Sequence, residues 1–521
     1  MNFVEKRLLS CCLQVRLLLL LLQILVSPFP DHDADAFHPP NGPYLGQIDA
    51  LLSQLFRGSK RWDSIYFCFI AQWGYVYEQS LAFFPFLPIL LGSVARLIYP
   101  IVGILLSLDT AILLVGMVIN LACTLFATLQ LYRLSLELIG SEKISYVSAL
   151  LFCVNPASIF FSSIYSESLY FTLTLLALRL YERNRLFPSA LLFALTAACR
   201  SNGLVNCGYL GYGLWCSLVS SSRLWSERVG LNEVHGFAHL LRESFCWWSS
   251  ALSLLIPYLF LGLLCVLPFI VYQAYGYYLF CSPLGATLPA ILPEPAAFVI
   301  EHGIQMGYRL PYHLLSQYPQ LTRNHTTPAW CSSDLPFSYS HIQREFWSVG
   351  FLGYFHWKQL PNFLLAIPVI LLSLSCASSF YSRAPKAYRT LGVHAESARD
   401  RQLVPYVLHL LFLTVYGVSH INVQVLTRLI FSSCPMIYWY CAYLVYDSPQ
   451  WQLEQGAKSG AKCKKSSVKT PKSTWHCEMI EIQRMYNPLN CRTISQCVIL
   501  TYFLGYTLLG TVLHSKFLPW T

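Results

Sequence analysis

Residues 7–29 read RLLSCCLQVRLLLLLLQILVSPF and are apolar over almost their whole length. About 20 consecutive apolar residues in a helix suffice to cross the hydrocarbon core of a bilayer. Basic Lys6 and Arg7 precede the run, and no small-residue cleavage site follows it. These features favour an uncleaved first membrane span over a signal peptide, with Lys6 and Arg7 on the cytoplasmic side.

The rest of the chain repeats this pattern. Of its 521 residues, 55% are hydrophobic and only 12% are charged, and the mean hydropathy is +0.48. Further apolar blocks lie at about 84–106, 110–132, 144–165, 167–181, 187–218, 250–279, 361–381, 403–419, 424–446 and 493–513. We therefore predict an all-α polytopic membrane protein with one domain over 1–521. The net charge of +10 fits cytoplasmic loops and anionic lipid, and the sequence contains no recognisable nucleic-acid-binding module.

The polar segments between the blocks predict a topology. Basic residues at 381–401 and a Lys-rich insert at 447–490 indicate two cytoplasmic segments, and the insert has the composition of a poorly ordered one. Two other segments, 30–81 and 281–360, are then lumenal loops. The second contains the glycosylation sequon Asn-His-Thr at Asn324, and Cys281 and Cys331 flank its polar part, where they could pair in an oxidising lumen.

The segment RWDSIYFCFIAQWGY, residues 61–75, is the first place where chemistry is expected. Its aromatic residues at helical spacing predict a helix in the membrane interface. Asp63 is the only carboxylate there. Partial desolvation would make it a base, whereas the simpler alternative is an N-cap that satisfies free backbone amides. Both remain open on the residues alone.

The segment DHDADAF contains Asp31, Asp33 and Asp35, which mimic the acidic metal motif of sugar-nucleotide transferases. A solvated acidic loop is the simpler interpretation, so we do not expect a divalent metal there. The sequence lacks G-x-G-x-x-G, P-loop, HExxH and GxSxG motifs. Nucleotide, zinc and serine-hydrolase chemistry are therefore not indicated.

The stretch WDSIYFCFIAQWGYVYEQSLAFFPFLP, residues 62–88, resembles the first lumenal loop of the GPI mannosyltransferase II family. Further matches follow in the family's order: NPASIFFSSIYSESLY at 155–170, CRSNGLVN at 199–206, LPFIVYQAYGYYLFC at 267–281, the segment 328–368 and NVQVLTRLIFSSCPMIYWY at 422–440. They cover most of the chain. The Lys-rich insert and the extreme N-terminus show no such likeness, and Arg61 stands where a small residue or His is more usual.

The resemblance implies a GT-C-type transmembrane helical bundle in the endoplasmic reticulum, with a lumenal active site. It implies transfer of mannose from dolichyl-phosphate-mannose to a mono-mannosylated GPI glycolipid, forming an α-1,6 linkage, and a small membrane partner subunit. A β-linked donor and an α-linked product require inversion, hence one in-line displacement with one base. Asp63 would be that base, and Trp62 would stack on a sugar or brace the carboxylate.

The matched stretches also supply candidate substrate-binding residues: Glu78, Glu167, Arg200, Asn202, Gln273, Lys358, Gln359 and Arg428. Arg200 and Arg428 lie in apolar surroundings, where arginine is costly, and are expected to stabilise the leaving phosphate. Their alternative is a snorkelling or packing role. Glu167 could instead pair with an arginine, and Gln273 could form an interhelical hydrogen bond. Lys358 is a further candidate for phosphate contact.

Two other functions fit the same composition. Many spans with buried arginines also suit a transporter, although no internal duplication is visible. A non-catalytic subunit of a glycolipid-assembly complex is the second alternative. It would tolerate loss of the Asp63 carboxylate, whereas a transferase would not.

Overall fold

The computed structural model describes residues 1–34, 36–40, 42–230, 237–283, 295–317, 327–446, 493–518 and 520. Within them the chain is helical, and we number the α-helices in chain order. They are α1 Phe3–Val26, α2 Gln47–Leu55, α3 Asp63–Trp73, α4 Phe86–Val102, α5 Leu108–Ile139, α6 Glu142–Cys153, α7 Glu167–Glu182, α8 Leu186–Cys199, α9 Cys207–Gly230, α10 Phe237–Phe280, α11 Ala297–Gln305, α12 Tyr312–Gln317, α13 Ser338–Trp347, α14 Leu360–Arg383, α15 Pro385–Arg389, α16 Ala398–His420, α17 Leu426–Phe431, α18 Pro435–Tyr446 and α19 Ile494–Ser515.

Six stretches of helix among the described residues are long and apolar enough to cross a membrane. They lie in α1, α5, α10, α14, α16 and α19, and α17 with α18 forms a seventh that is bent by 80° at its break. This confirms the predicted all-α membrane protein. The remaining core helices, such as α7 and α8, are shorter and are packed among the long ones.

The first helix is an integral part of this bundle. Arg16, in the middle of α1, is buried and donates hydrogen bonds to the Ser158 carbonyl oxygen at 2.8 Å and to Ser162 Oγ at 2.9 Å. A buried guanidinium needs such partners because burying a charge without them costs several kcal/mol. These bonds connect α1 to the segment between α6 and α7.

One end of the bundle collects the C-terminus of α1, the N-terminus of α5 and the C-terminus of α19. Ser59 donates to Gln23 of α1 at 2.8 Å, and Lys60 binds Asp109 of α5 at 2.5 Å. The side chain of Arg61 donates to the carbonyl oxygen of Ser515 in α19 at 3.3 Å. We call this the site end, because the segment around Asp63 lies there.

The opposite end holds the other termini of the same helices. Glu5 of α1 binds Arg133 of α5 at 2.8 Å. Glu182, the last residue of α7, accepts a hydrogen bond from Tyr406 of α16 at 2.8 Å, and Arg183 beyond it binds Glu137. Consecutive core helices therefore alternate in direction between the two ends.

Three apolar blocks that were predicted as continuous are broken. The block 187–218 is divided by a 3-10 segment, Ser201–Asn206, between α8 and α9. The block 144–165 leaves the α-helix after Cys153, and the block 424–446 is divided between α17 and α18. Hydropathy reports apolar content and not helix continuity, so it could not locate these breaks. The breaks after α8 and between α17 and α18 meet where Asn202 Nδ2 donates a hydrogen bond to Ser433 Oγ, and the break after Cys153 faces Arg16 in the middle of α1.

Cys281 and Cys331, whose pairing the sequence left open, form a disulfide, with the two Cα atoms 5.4 Å apart. The disulfide joins the C-terminus of α10 to the segment that leads into α13. It therefore restrains α13 over the site end. The sequon at Asn324 and the Lys-rich insert at 447–490 lie outside the described residues.

Candidate functional site

Asp63 is the first residue of α3 and follows a backbone in an unusual conformation. Trp62 occupies the cap position with φ of 53°, and its side chain makes no capping hydrogen bond. A left-handed φ is unfavourable for a tryptophan, and such residues cluster at functional sites. The N-cap alternative for Asp63 is wrong, because its carboxylate turns away from the helix amides towards Arg428.

The partner of Asp63 lies 365 residues later in the chain. Arg428 Nη1, in the short helix α17, is 2.6 Å from Asp63 Oδ2 and 3.7 Å from Glu167 Oε1. The guanidinium also lies 5.3 Å and 5.8 Å from the ring centroids of Phe160 and Tyr165. Arg428 is therefore held between two carboxylates and two aromatic rings, and a snorkelling role is excluded.

Glu167 and Arg200 complete the charged cluster. Glu167 begins α7, is fully buried and forms an ion pair with Arg200. Arg200 Nε donates to Asn202 Oδ1 at 3.1 Å, and Asn202 Nδ2 donates to Ser433 Oγ at 3.0 Å. Two carboxylates thus face two guanidinium groups. We call Asp63, Glu167, Arg200 and Arg428 the charged cluster.

The helix breaks place this cluster. Arg200 and Asn202 lie at the 3-10 segment after α8, and Ser433 lies in the break between α17 and α18. Gly203 fits there because its α-carbon abuts the Thr196 carbonyl, where an added Cβ would come within 2.3 Å of the oxygen. Non-helical backbone at membrane depth is tolerated where protein buries it or where it lines a cavity.

Several polar atoms of the cluster remain without partners. Among the described residues, no group satisfies the buried Trp62 Nε1, Arg428 Nε or Glu167 Oε2. Buried polar atoms are nearly always hydrogen-bonded, so each exception calls for an explanation. These atoms are free to bond water or a polar ligand.

Tyr165 holds the turn that presents Asp63. Its hydroxyl donates to the Arg61 carbonyl oxygen at 3.2 Å and lies 3.1 Å from His514 Nε2. Burial raises the pKa of the Tyr165 phenol well above its usual value, and the nearby Asp63 carboxylate adds to the shift. The phenol therefore stays protonated and can donate. Sequence reasoning missed both Tyr165 and His514, because neither residue type is unusual in an apolar segment.

The Arg61 side chain fixes the same turn from the opposite direction. Its guanidinium binds Asp31 at 2.9 Å and lies 4.4 Å from the ring centroid of Phe517. The Phe517 ring is also 5.6 Å from that of Trp62, and Lys516 binds Asp31 at 3.2 Å. The end of the chain was not predicted to take part. These residues were missed because the hydropathy pattern identifies them only as the end of a membrane span.

Aromatic side chains lie beside the charged cluster. Tyr66, one helical turn after Asp63, stacks on Phe37 and on Phe83 with centroid distances of 4.2 Å and 4.3 Å. Trp347, the last residue of α13, lies 5.9 Å from Phe83 and 6.2 Å from Tyr66. Most of α3 is buried within the protein, including Ile65. Asp63 and Tyr66 near its start and Gln72 and Trp73 at its end are half-buried.

Two of the predicted substrate-binding residues have other partners. Glu78 is buried, accepts a hydrogen bond from Trp330 Nε1 at 2.8 Å and binds Arg309 at 3.0 Å. Gln273 Oε1 accepts hydrogen bonds from Ser338 and Tyr339 at the start of α13. The structure does not bring these two residues into the charged cluster. Their contacts connect the loops to the bundle, as the alternative interpretation of Gln273 anticipated.

The remaining predicted residues precede α14. Lys358 is exposed, and Gln359 Oε1 accepts a hydrogen bond from Asn362 at 2.7 Å. Neither contacts the charged cluster. In the part of the chain that the structure describes, no group of three His, Cys, Asp or Glu residues could hold a metal ion. Asp31 is paired with cations, Asp33 is exposed, and Asp35 lies outside the described residues.

Comparison with known proteins gives matches over the whole chain. The family model described as Mannosyltransferase (PIG-V) matches residues 5–521. The chain is 35% identical to GPI alpha-1,6-mannosyltransferase 2 of Mus musculus and 33% identical to that of Homo sapiens, each over 99% of both chains. Among solved structures, the oligosaccharyltransferase of Archaeoglobus fulgidus is similar with a TM-score of 0.38 and 12% identity, over 98% of this chain and 56% of that one.

Proposed function

Because the chain belongs to the mannosyltransferase (PIG-V) family, we propose that it transfers the second mannose of the GPI anchor. The donor is dolichyl-phosphate-mannose, the acceptor is the mono-mannosylated GPI precursor, and the new linkage is α-1,6. The charged cluster carries this proposal: the half-buried Asp63 carboxylate binds Arg428, and Glu167 joins Arg428 to a second guanidinium group, that of Arg200, at one end of a membrane bundle. The small partner subunit stays a prediction.

Asp63 acts as the general base. Its carboxylate takes the proton of the acceptor hydroxyl, the hydroxyl oxygen attacks C1 of the donor mannose, and the bond between C1 and the phosphate oxygen breaks. The electron pair of that bond leaves with dolichyl phosphate, and C1 is inverted. One base suffices because the phosphate departs without needing a proton.

Arg428 and Arg200 stabilise the phosphate. The donor phosphate carries one negative charge, and it gains a second as the bond to C1 breaks. Fixed guanidinium groups in a poorly hydrated site act most strongly on charge that develops in the transition state. The unsatisfied Arg428 Nε is one donor available for this purpose. A phosphate that binds Arg428 would also compete with Asp63 and leave its carboxylate free for the acceptor.

The distribution of charge supports a lumenal site. Basic residues gather at the opposite end, where α7 meets α8 and α14 leads through α15 into α16: Arg183, Arg185, Arg383, Lys386, Arg389, Arg399 and Arg401. Loops rich in Lys and Arg stay on the cytoplasmic side. The site end then faces the lumen of the endoplasmic reticulum, where the acceptor glycolipid is elongated.

Complementation tests the proposal. The chain is expressed in cells that lack the second GPI mannosyltransferase, and the accumulated glycolipids are separated by mass. We expect the one-mannose intermediate to disappear and surface GPI-anchored proteins to return. Persistence of that intermediate at normal expression would overturn the proposal. Solute uptake by vesicles containing the purified chain, without glycolipid product, would support a transporter instead.

A further inference from the structure

Helix α13 crosses the site end from one side of the charged cluster to the other. At its start, the hydroxyl oxygens of Tyr339 and Ser201 share a hydrogen bond of 2.8 Å, so this end lies beside Arg200. At the C-terminal end of α13, the Trp347 carbonyl oxygen accepts a hydrogen bond from Asn422 Nδ2 at 3.2 Å. Gln273 of α10 fixes the first turn. The helix therefore has a defined position over the cluster.

Trp347 is the residue of α13 that reaches the helix carrying Asp63. Its ring lies within 6.2 Å of the Tyr66 and Phe83 centroids, whereas its neighbour Phe346 is exposed. Tyr66 follows Asp63 by three residues, so both lie on the same face of α3. The indole is only half-buried, so part of its surface is accessible close to the helix turn that carries Asp63.

The rings behind Trp347 form a rigid support. Phe37, Tyr66 and Phe83 are stacked nearly parallel, with interplanar angles of 14° and 19°. Both faces of Tyr66 are thereby covered, so Tyr66 is a supporting ring and offers little surface of its own. Trp347 stands at the end of this stack, at 80° to Phe83. A half-exposed indole on such a support is preorganised for contact with a ligand.

We propose that Trp347 is the platform on which a pyranose ring of the acceptor glycan packs while its hydroxyl reaches Asp63. One face of a pyranose presents C–H groups, which gain dispersion and hydrophobic contact on an aromatic surface. This inference rests on the proposed function. The guanidinium groups of Arg200 and Arg428 are taken by the donor phosphate, and the Trp62 ring packs on Phe517, so Trp347 offers an uncharged surface for a neutral sugar.

The test measures the KM of each substrate separately. Membranes from cells without endogenous activity carry the full chain, with a synthetic mannosyl-glucosaminyl-inositol phospholipid and dolichyl-phosphate-mannose as substrates. Trp347→Leu should raise the acceptor KM roughly tenfold, the size expected for the loss of one aromatic contact. The donor KM should not change, and Trp347→Phe should recover most of the acceptor affinity.

Trp73→Leu is the matched control. Trp73 is also half-buried and closes the same helix, α3, but its ring packs on Phe298 at 5.9 Å, away from Asp63. It should leave both KM values unchanged. A rise in donor KM alone for Trp347→Leu would overturn the acceptor assignment. Equal losses of kcat for Trp347→Leu and Trp73→Leu, with unchanged KM, would show a structural role only and overturn the platform.

Failure of the proposed function would look different. If Asp63→Asn retains full transfer, the assignment of Asp63 as the base is wrong. A selective rise in acceptor KM for Trp347→Leu would still place the acceptor glycan at Trp347. If the chain transfers no mannose in membranes that express it well, the proposed function fails. The platform that rests on it then fails too, because no KM exists to compare. The transfer rate of the wild-type chain thus distinguishes failure of the proposed function from failure of the platform.

Discussion

The two ends of the bundle use similar ion pairs for different purposes. At the opposite end, Arg183 lies 2.5 Å from Glu137, and the Arg183 side chain is 56% exposed. At the site end, Arg428 lies 2.6 Å from Asp63, with only 16% of its side chain exposed, and the neighbouring Glu167 is fully buried. The distances hardly differ, whereas the burial does.

Burial decides what such a pair contributes. Exposed pairs stabilise a protein by about 0–1 kcal/mol, because water screens the charges. Buried pairs cost so much desolvation that apolar replacements are often equally stable, yet removing one partner typically costs about 3–5 kcal/mol. A buried cluster of four charges is therefore a poor way to gain stability. At the opposite end, Arg179 and Glu137 are covered about as well as Arg428 and Asp63, with 13% and 27% of their side chains exposed. The site end differs in the fully buried Glu167, which two guanidinium groups share, and this difference supports a functional role there.

The largest effect is expected from Asp63→Asn. The amide keeps the shape of the side chain but cannot take a proton, and general bases contribute about 10²–10⁴-fold to a rate. Mannose transfer in membranes should fall by that factor. Asp109→Asn is the matched control, since Asp109 pairs with Lys60 at the same end and is 32% exposed against 28% for Asp63. Equal transfer rates for the two variants, at equal expression, would show that Asp63 is not the general base.

Arg428→Gln should have the next largest effect. It removes the charge that faces the leaving phosphate, so kcat should fall by about 10²–10³-fold, as for loss of a donor to a developing anion. It also leaves Asp63 and Glu167 without their shared partner, so the melting temperature in detergent should drop. Arg428→Lys should restore part of the melting temperature but little of kcat, because lysine lacks the planar fork.

Arg183→Gln makes the comparison between the two ends direct. It removes an arginine from an ion pair of similar length, but one in which water screens the charge. We expect wild-type transfer and a nearly unchanged melting temperature. A loss of activity comparable to that of Arg428→Gln would mean that burial does not distinguish the two ends. The functional interpretation of the charged cluster would then be wrong.

Tyr165→Phe should have a smaller effect. It deletes the hydroxyl that holds the Arg61 carbonyl and hence the turn before Asp63. We expect kcat to fall roughly fivefold with both KM values unchanged, since about 1 kcal/mol is typical of one hydrogen bond. Tyr406→Phe is the control: it deletes an equally buried hydroxyl that binds Glu182 at the opposite end. Equal losses of kcat in Tyr165→Phe and Tyr406→Phe would show that Tyr165 has only a structural role.

The sequence predicted much of the bundle and part of the site. Long apolar blocks located the spans, because the bilayer imposes their length. Arg200 and Arg428 were recognisable because arginine is rare in apolar surroundings. The structure pairs both with Glu167, and Arg428 also with Asp63. The GT-C designation rests on family membership.

The rest depended on tertiary contacts. The break at Ser201–Asn206 has no Pro signal and lies inside an apolar block, so periodicity could not reveal it. Tyr165, His514 and Trp347 act through partners that are distant in the chain, and aromatic residues are too common here to attract notice. Glu78 and Gln273 were chosen from matched stretches, but a match does not tell whether a polar residue faces the substrate or a neighbouring loop.

The smallest effect is expected from a metal chelator. In the proposed reaction, Arg200 and Arg428 supply the positive charge opposite the phosphate, and a monophosphate gives a divalent cation less to bind than a diphosphate does. Transfer in membranes washed with EDTA should therefore keep its rate. The Arg428→Gln variant sharpens this test: added Mg²⁺ or Mn²⁺ should not rescue it, because in the described part of the chain Glu167 is the one carboxylate that shares Arg428 with Asp63. A strong loss with EDTA that Mn²⁺ reverses in the wild-type chain would show that a cation shares the task assigned to the arginines. The difference between the two ends would then lie in a metal and not in buried guanidinium groups.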